Sequence, residues 1–302
     1  VENGNDNRPE RPVILVSLAH PDDESFGMGG TLALYARRGA LVYLVCATRG
    51  EAGIMAEEYL QGYSSVAERR EAELRCAAEK LGLAGVFFLD YRDSGMAGSP
   101  DNQHPQALVA APLEEVAGKI VAHIRRLRPH VVITFDPIGG YKHPDHIMMH
   151  KATVRAFHQA GDPSAYPELG LEPYQPAKLY YHTMPATMLR LVVRVMPLLG
   201  RDPTKFGQNK DINLKEITET RFPTHAVIDY RTVSVVRDQA ASCHASQGAG
   251  AMTTGLAARV RRWFGSRDTF MRAYPPPRQG EVERDLLEGI DLGLGRTKKA
   301  QR

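Results

Sequence analysis

An α/β fold, in which a mostly parallel sheet carries helices on both faces, follows from three features of the sequence. Short β-branched apolar runs alternate with segments of helical periodicity. Loops rich in glycine or in charge follow the apolar runs, where the carboxyl ends of parallel strands would lie. The composition, 43% hydrophobic and 24% charged over 302 residues, is that of an ordinary globular chain.

Val13 to Val16 reads as the first buried strand, and Thr31 to Arg38 as a helix ended by Gly39. Between them lies L-A-H-P-D-D-E, Leu18 to Glu24, with one imidazole and three carboxylates in five positions. Such a turn needs solvation or a cation, because its charges repel one another. Leu41 to Ala47 is a second strand, followed by T-R-G-E-A-G at Thr48 to Gly53. Ser65 and Glu68 form a capping box for a helix that stops at Gly82; Arg69 and Arg70 in its first turn oppose the helix dipole, which hints at another task for one of them.

Gly85 to Leu89 is the third strand, with a polar loop from Asp90 to Asn102 behind it. A helix from about Pro112 to Leu127 leads to the fourth strand, Val131 to Phe135, and its exit loop D-P-I-G-G-Y. Three βα units with right-handed crossovers imply the parallel sheet. H-P-D-H follows at His143 to His146. Pro144 suits the first helical position, which makes His143 the N-cap and sets His146 three residues on, on the same side.

Beyond Gly161 the pattern loosens. Lys178 to His182 and Thr224 to Ile228 read as strands, Ala186 to Leu199 and Asp229 to His244 as helices, Gly200 to Asn213 as an exposed connection, and the segment from Pro275 as a polar tail.

The formal charge of +3 is small and interspersed, so no nucleic acid is expected as a partner; Lys298, Lys299 and Arg302 read as a solvated tail. Met188 to Leu199 is too short to span a bilayer. Cys46, Cys76 and Cys243 are odd in number and scattered, which predicts no disulfide framework and a reducing compartment, the cytoplasm. Val1 to Arg11 lacks the apolar core of a secretory signal.

His20, Asp23 and His146 together supply two imidazoles and a carboxylate, a set that leaves a position open on a catalytic zinc ion. Zinc there would acidify water and polarise a carbonyl, and iron fits the same ligands. Asp22, directed differently by the turn, is the natural general base, and Glu24 could orient a ligand or a neighbouring loop. His143, as an imidazolium, would stabilise an oxyanion or protonate a leaving amine. His150 could replace His143 or extend the ligand set. Without a metal, the same residues would be a capped turn and an N-cap beside a core histidine. The remaining histidines, His104, His123, His130, His158, His182 and His225, read as surface or structural.

A-H-P-D-D-E at Ala19 to Glu24 with G-G-T at Gly29 to Thr31, and H-P-D-H at His143 to His146 preceded by Tyr141, resemble the two signatures of the LmbE-like, or GlcNAc-phosphatidylinositol de-N-acetylase, family. T-R-G-E-A-G, R-x-x-E-L at Arg70 to Leu74, R-D-S-G-M at Arg92 to Met96 and H-A-S-Q at His244 to Gln247 fall in the family's order, so the agreement spans roughly residues 12 to 250. The resemblance implies a Rossmann-like hydrolase that uses one zinc ion to remove acetyl from an N-acetylglucosamine-type conjugate. It implies His20, Asp23 and His146 as ligands, Asp22 as base, His143 held by Asp145, Tyr141 at the oxyanion, and Arg70 and Asp93 on sugar hydroxyls. The family includes mycothiol- and bacillithiol-pathway deacetylases and conjugate amidases, and tailoring enzymes of glycosylated natural products.

On this reading residues 12–160 form the catalytic core with both metal motifs, residues 161–274 complete the same domain as a substrate-facing extension, and residues 275–302 are tail. The expected partner is a small amino-sugar conjugate. The alternatives are an amidase for a larger N-acyl group, such as a thiol-conjugate amide, and a non-catalytic glycan-binding homologue, against which Asp22 argues. A dinucleotide-binding protein is excluded by carboxylates where a pyrophosphate would sit and by the lack of G-x-G-x-x-G.

Overall fold

Val13–Leu18 forms strand β1, and its continuous apolar run is buried on both faces, as a central parallel strand requires. The computed structural model describes residues 11–184, 186–205, 212–249, 262 and 265–292; Lys298, Lys299 and Arg302 lie outside them. After β1 come α1 (Asp23–Gly27), α2 (Gly29–Arg37) and β2 (Leu41–Cys46). Helicity begins earlier than the periodicity predicts, so Asp23 and Glu24 occupy the first turn of α1, where carboxylates favour the dipole. Helix α3 (Val66–Leu81) is capped by Ser65 and closed by left-handed Gly82. β3 (Gly85–Phe88), α4 (Leu113–Leu127) and β4 (Val131–Phe135) follow.

The short turn α5 (Gly139–Lys142) leads into α6 (Pro144–Gln159), and β5 (Lys178–Thr183), α7 (Ala186–Val195), α8 (Leu214–Ile217), β6 (Ala226–Asp229), α9 (Ser234–Cys243) and β7 (Arg267–Tyr274) complete the chain order. The sheet runs β3-β2-β1-β4-β5-β7-β6. Its first five strands are parallel, and β7 pairs antiparallel with both β5 and β6. The chain leaves β1 toward β2 on one side and returns to β4 on the other. The crevice beyond the carboxyl ends of β1 and β4 is therefore the topological switch point, and both histidine motifs open into it.

Three further features differ from the sequence reading. Strand β7 is a central strand that sequence pattern misses, because buried Asp268 and Arg272 make it look polar. Asp268 accepts from the Thr31 amide (3.0 Å) and hydroxyl (2.6 Å) at the start of α2. The segment read as a tail is partly core: Leu286 is fully buried, and buried Glu283 pairs with Lys178 (2.5 Å) and Arg272 (2.6 Å).

The third difference corrects the cysteine reading. Cys76 and Cys243, 167 residues apart, form a disulfide, because α3 packs against α9 and brings their Cα atoms to 5.9 Å. Scatter along the sequence hid a pair that the fold brings together, and the argument for a reducing compartment falls with it. Cys46 is free and buried.

Candidate active site

The switch point collects nearly all the residues singled out from the sequence. His20 leaves the end of β1 and His146 sits in the first turn of α6, with His20 Nδ1 and His146 Nε2 3.2 Å apart. Asp23 Oδ1 is 3.3 Å from His146 Nε2, and Asp23 Oδ2 is 3.7 Å from His20 Nδ1. All three side chains are buried or nearly so. The approach of α6 depends on Gly139, at φ 66°, where a Cβ would lie 2.7 Å from His146 Cβ and 2.9 Å from the Ile147 amide.

Hydrogen bonding fixes the tautomers. His146 Nδ1 faces the Gly139 carbonyl at 3.2 Å, which can only accept, so the ring proton is on Nδ1 and Nε2 presents a lone pair. His20 Nε2 faces the carboxylates of Asp145 (3.1 Å) and Asp93 (3.4 Å), so its proton is on Nε2 and Nδ1 is the inward atom. Two ring lone pairs and a carboxylate therefore converge. Either an extra proton on His20 or a cation must sit among them. Burial opposes that proton, but Asp93, Asp145 and Asp23 outweigh it and raise the His20 pKa well above its ordinary value, while burial and then His143 and His20 drive His146 well below.

A divalent metal fits this set. Zinc–nitrogen bonds of about 2.0–2.1 Å in a tetrahedron put ligand atoms roughly 3.3 Å apart, and two of the three separations here are 3.2 and 3.3 Å. The Asp23 pKa is pushed up to about 7 by burial, against the pull of His20 and with neighbouring Asp22 adding repulsion. Its charge calls for a cation that the protein's own side chains only partly provide. His20, His143 and His146 also form a group compact enough to hold an ion, as do His20, Asp93, His143 and Asp145.

The surrounding residues are placed less simply. His143 is the N-cap of α6, its Nδ1 accepting from the Asp145 amide at 3.2 Å. Its proton is thus on Nε2, and burial, then His20, push its pKa down to about 3. Burial and His20 thus work against the imidazolium that the sequence allows for this side chain. Asp145 meets His143 only through the main chain, since its Oδ2 accepts from the Ser94 amide (2.9 Å) and faces His20; Oδ1 is buried with no partner among the described residues.

Tyr141 stands edge-on to His146, centroids 4.8 Å apart, and burial followed by Asp23 and Asp22 raises its pKa well above the ordinary value, keeping the phenol a donor. His150 turns to the Phe135 carbonyl at 2.9 Å and takes no part in the cluster.

Asp22 adopts φ 119°, a left-handed conformation that costs a non-glycine residue strain energy. Arg70 grips it: Nη2 donates to Asp22 Oδ2 (2.9 Å) and to the Pro21 carbonyl (2.6 Å), and Nη1 to the Gly50 carbonyl (2.9 Å). The guanidinium lies against Gly50, at φ 71°, where a Cβ would meet Nη1 at 1.9 Å. Burial raises the Asp22 pKa, against Arg70. Asp93 accepts from the Gly95 amide at 2.8 Å; burial would raise its pKa, but His20 holds it far below the usual carboxylate range. Arg70 and Asp93, which the resemblance implies for sugar hydroxyls, thus both have partners within the protein.

Sequence reasoning missed a role for His244. Its Nε2 lies 2.7 Å from Glu24 Oε1, both residues fully buried. The two are 220 positions apart, and only the resemblance of H-A-S-Q to a family signature marked the segment.

This geometry can be set beside known proteins. The model of the PIG-L family, GlcNAc-PI de-N-acetylase, matches residues 15–157, which include both histidine motifs. A 1D-myo-inositol 2-acetamido-2-deoxy-alpha-D-glucopyranoside deacetylase from Geodermatophilus obscurus is 38% identical over 254 residues, 79% of this chain and 83% of that protein. The chain belongs to the GlcNAc-PI de-N-acetylase family. Among solved structures, a conserved protein from Thermus thermophilus aligns with TM-score 0.57 and 24% identity over 88% of this chain and 96% of its own. The 4-carboxy-2-hydroxymuconate hydratase from Pseudomonas putida aligns with TM-score 0.58 and 20% identity, over 89% and 98%. These two share the fold of the GlcNAc-PI de-N-acetylase family member described here. The hydratase shows that the fold serves other chemistry, so activity is argued from the site. Among the described residues no helix is long and apolar enough to cross a membrane.

Proposed function

We propose that this protein is a zinc-dependent N-deacetylase that hydrolyses the acetamide of an N-acetylglucosaminyl conjugate, with an N-acetylglucosaminyl inositol as the first substrate to try. The observation that carries the reading is the convergence of His20 Nδ1, His146 Nε2 and the Asp23 carboxylate at separations of 3.2 and 3.3 Å, the spacing of ligand atoms around one tetrahedral ion. Membership of a deacetylase family and the name of the Geodermatophilus relative support the substrate class.

His20, Asp23 and His146 would hold the metal, which supplies the Lewis acidity that acidifies water and polarises an amide carbonyl. Asp22, beside this set and with its pKa raised by burial, accepts the proton of the attacking water. As the new C–O bond forms, negative charge gathers on the amide oxygen. His143 Nε2–H and the Tyr141 hydroxyl are the neutral donors available to it. Asp22 then returns its proton to the nitrogen as the C–N bond breaks, releasing acetate and a free amine. Arg70 holds the Asp22 carboxylate throughout.

The test is metal content and acetate release from N-acylated glucosaminides differing in aglycone and acyl group. About one zinc per chain and turnover confined to acetyl are expected, and Asp22→Asn should keep the metal while lowering kcat by roughly 10²–10⁴-fold. Preference for a longer acyl group would favour the amidase reading. Sugar binding without hydrolysis would overturn both.

A further inference from the structure

The segment that follows α9 is fastened to the site from behind. Cys243 is bonded to Cys76 on α3. Three residues later the Ser246 amide and hydroxyl both donate to Glu73 on α3, at 3.0 and 2.7 Å. Between these two anchors His244 points inward, fully buried, to Glu24 Oε1 at 2.7 Å. Glu24 Oε1 also accepts from the Ser25 hydroxyl at 2.6 Å, while its other oxygen, Oε2, accepts from the main-chain amide of Asp22 at 3.0 Å.

Two side chains thus hold Asp22, in addition to the Ser25 and Phe26 amides that donate to its carbonyl at 3.0 and 2.9 Å. Arg70 takes its carboxylate and Glu24 takes its amide, and the same helix α3 carries Arg70 and both anchors of the His244 segment. The amide contact matters because Asp22 has φ 119°, a conformation that persists only where surrounding bonds over-determine it. A fully buried carboxylate cannot keep one orientation by itself, since desolvation and repulsion from Asp22 and Asp23 oppose its charge. His244 is the ring donor that, with the Ser25 hydroxyl on the same oxygen, fixes it. His244 Nδ1 has no partner among the described residues, so the ring's one polar contact there is with Glu24.

We infer that His244 is a positioning residue for the reaction: by anchoring Glu24 it holds the Asp22 amide, and so the left-handed turn that aims the Asp22 carboxylate at the metal set. The inference rests on the reading of Asp22 as the base.

The test compares His244→Gln, which fills much of the space and keeps a donor, with His244→Leu, which fills it without one. Two quantities are read in wild type and both variants: hydrogen exchange at the Asp22 amide, followed by NMR, and kcat and KM for acetate release, with zinc content measured alongside. Losing a hydrogen bond to a buried charge corresponds to about a 10- to 100-fold effect. His244→Leu should speed Asp22 amide exchange and lower kcat by that order, with KM within about threefold and zinc retained, and His244→Gln should recover at least about tenfold of both.

Equal exchange and equal kcat in Leu and Gln variants would overturn the inference, as would faster exchange with unchanged kcat. Should His244→Leu not fold, His244→Gln against His244→Met gives the same contrast under the same criteria. Failure of the underlying reading looks different: Asp22→Asn would then turn over like wild type, whereas failure of this inference leaves Asp22→Asn inactive and His244→Leu active. The exchange measurement needs no substrate, so protection of Asp22 that ignores residue 244 overturns the inference even if no conjugate is turned over.

Discussion

Arg70 Nη2 donates to Asp22 Oδ2 at 2.9 Å from a residue that is only 4% exposed. The guanidinium that the resemblance implies for sugar hydroxyls is also the partner of the proposed base. Arg70→Met should therefore act on kcat, lowering it about 10- to 100-fold, the worth of a hydrogen bond to a charged group. KM should move less than about threefold. Steady-state kinetics decide it, and a rise in KM with kcat intact would return Arg70 to the sugar.

Metal retention should separate the histidines. Asp23→Ala and His146→Ala should each bind much less than one zinc per chain by elemental analysis, since each removes one of three converging ligand atoms. His143→Ala should keep the metal, lose turnover, and cost about 1 kcal/mol of stability through the lost cap of α6. Chelation should abolish wild-type activity and zinc should restore it. If His143→Ala arrives without metal, the ligand set is the three-histidine one.

The Cys76–Cys243 bridge closes a loop with a sequence separation of 167. Chain entropy alone makes such a bridge worth up to about 5 kcal/mol. The double variant Cys76→Ala/Cys243→Ala, or wild type in dithiothreitol, should melt several degrees lower. A Tm unmoved by reductant would mean that the bridge adds nothing to stability.

Acid should weaken the fold through His123, which packs against Phe87 with ring centroids 4.7 Å apart. Burial, aided by Arg126, holds its pKa down to about 4 in the folded protein, against about 6.5 unfolded. The folded state thus binds fewer protons than the unfolded one between those values. The contribution is complete above about pH 6.5 and is lost as pH falls toward about 4. His123→Phe should flatten the decline of Tm over that interval, and an unchanged slope would place the acid sensitivity elsewhere.

The parallel half of the fold was legible because β1, β2 and β4 are buried on both faces and must read as apolar runs. The histidine and carboxylate motifs were legible because each follows such a strand on the same sheet edge. What escaped depends on contacts between distant residues. Strand β7 hides its central place behind Asp268 and Arg272, charges made tolerable by Thr31 and Glu283 from elsewhere in the chain. The same holds for Cys76 with Cys243 and for Glu24 with His244. The grip of Arg70 on Asp22, Pro21 and Gly50 likewise joins residues far apart in the sequence, and only the fold brings it to light.

Strand β7 enters between β5 and β6, so this interior member of the sheet is made after both of its neighbours. Until Arg267–Tyr274 has emerged, the nascent chain presents the bare edge of β5 with no neighbour to cover it. An uncovered, apolar edge of that kind invites pairing with other chains. The sheet is therefore completed by filling a gap rather than by adding an appendage, and shielding of the β5 edge by a chaperone during that interval would protect the protein's yield.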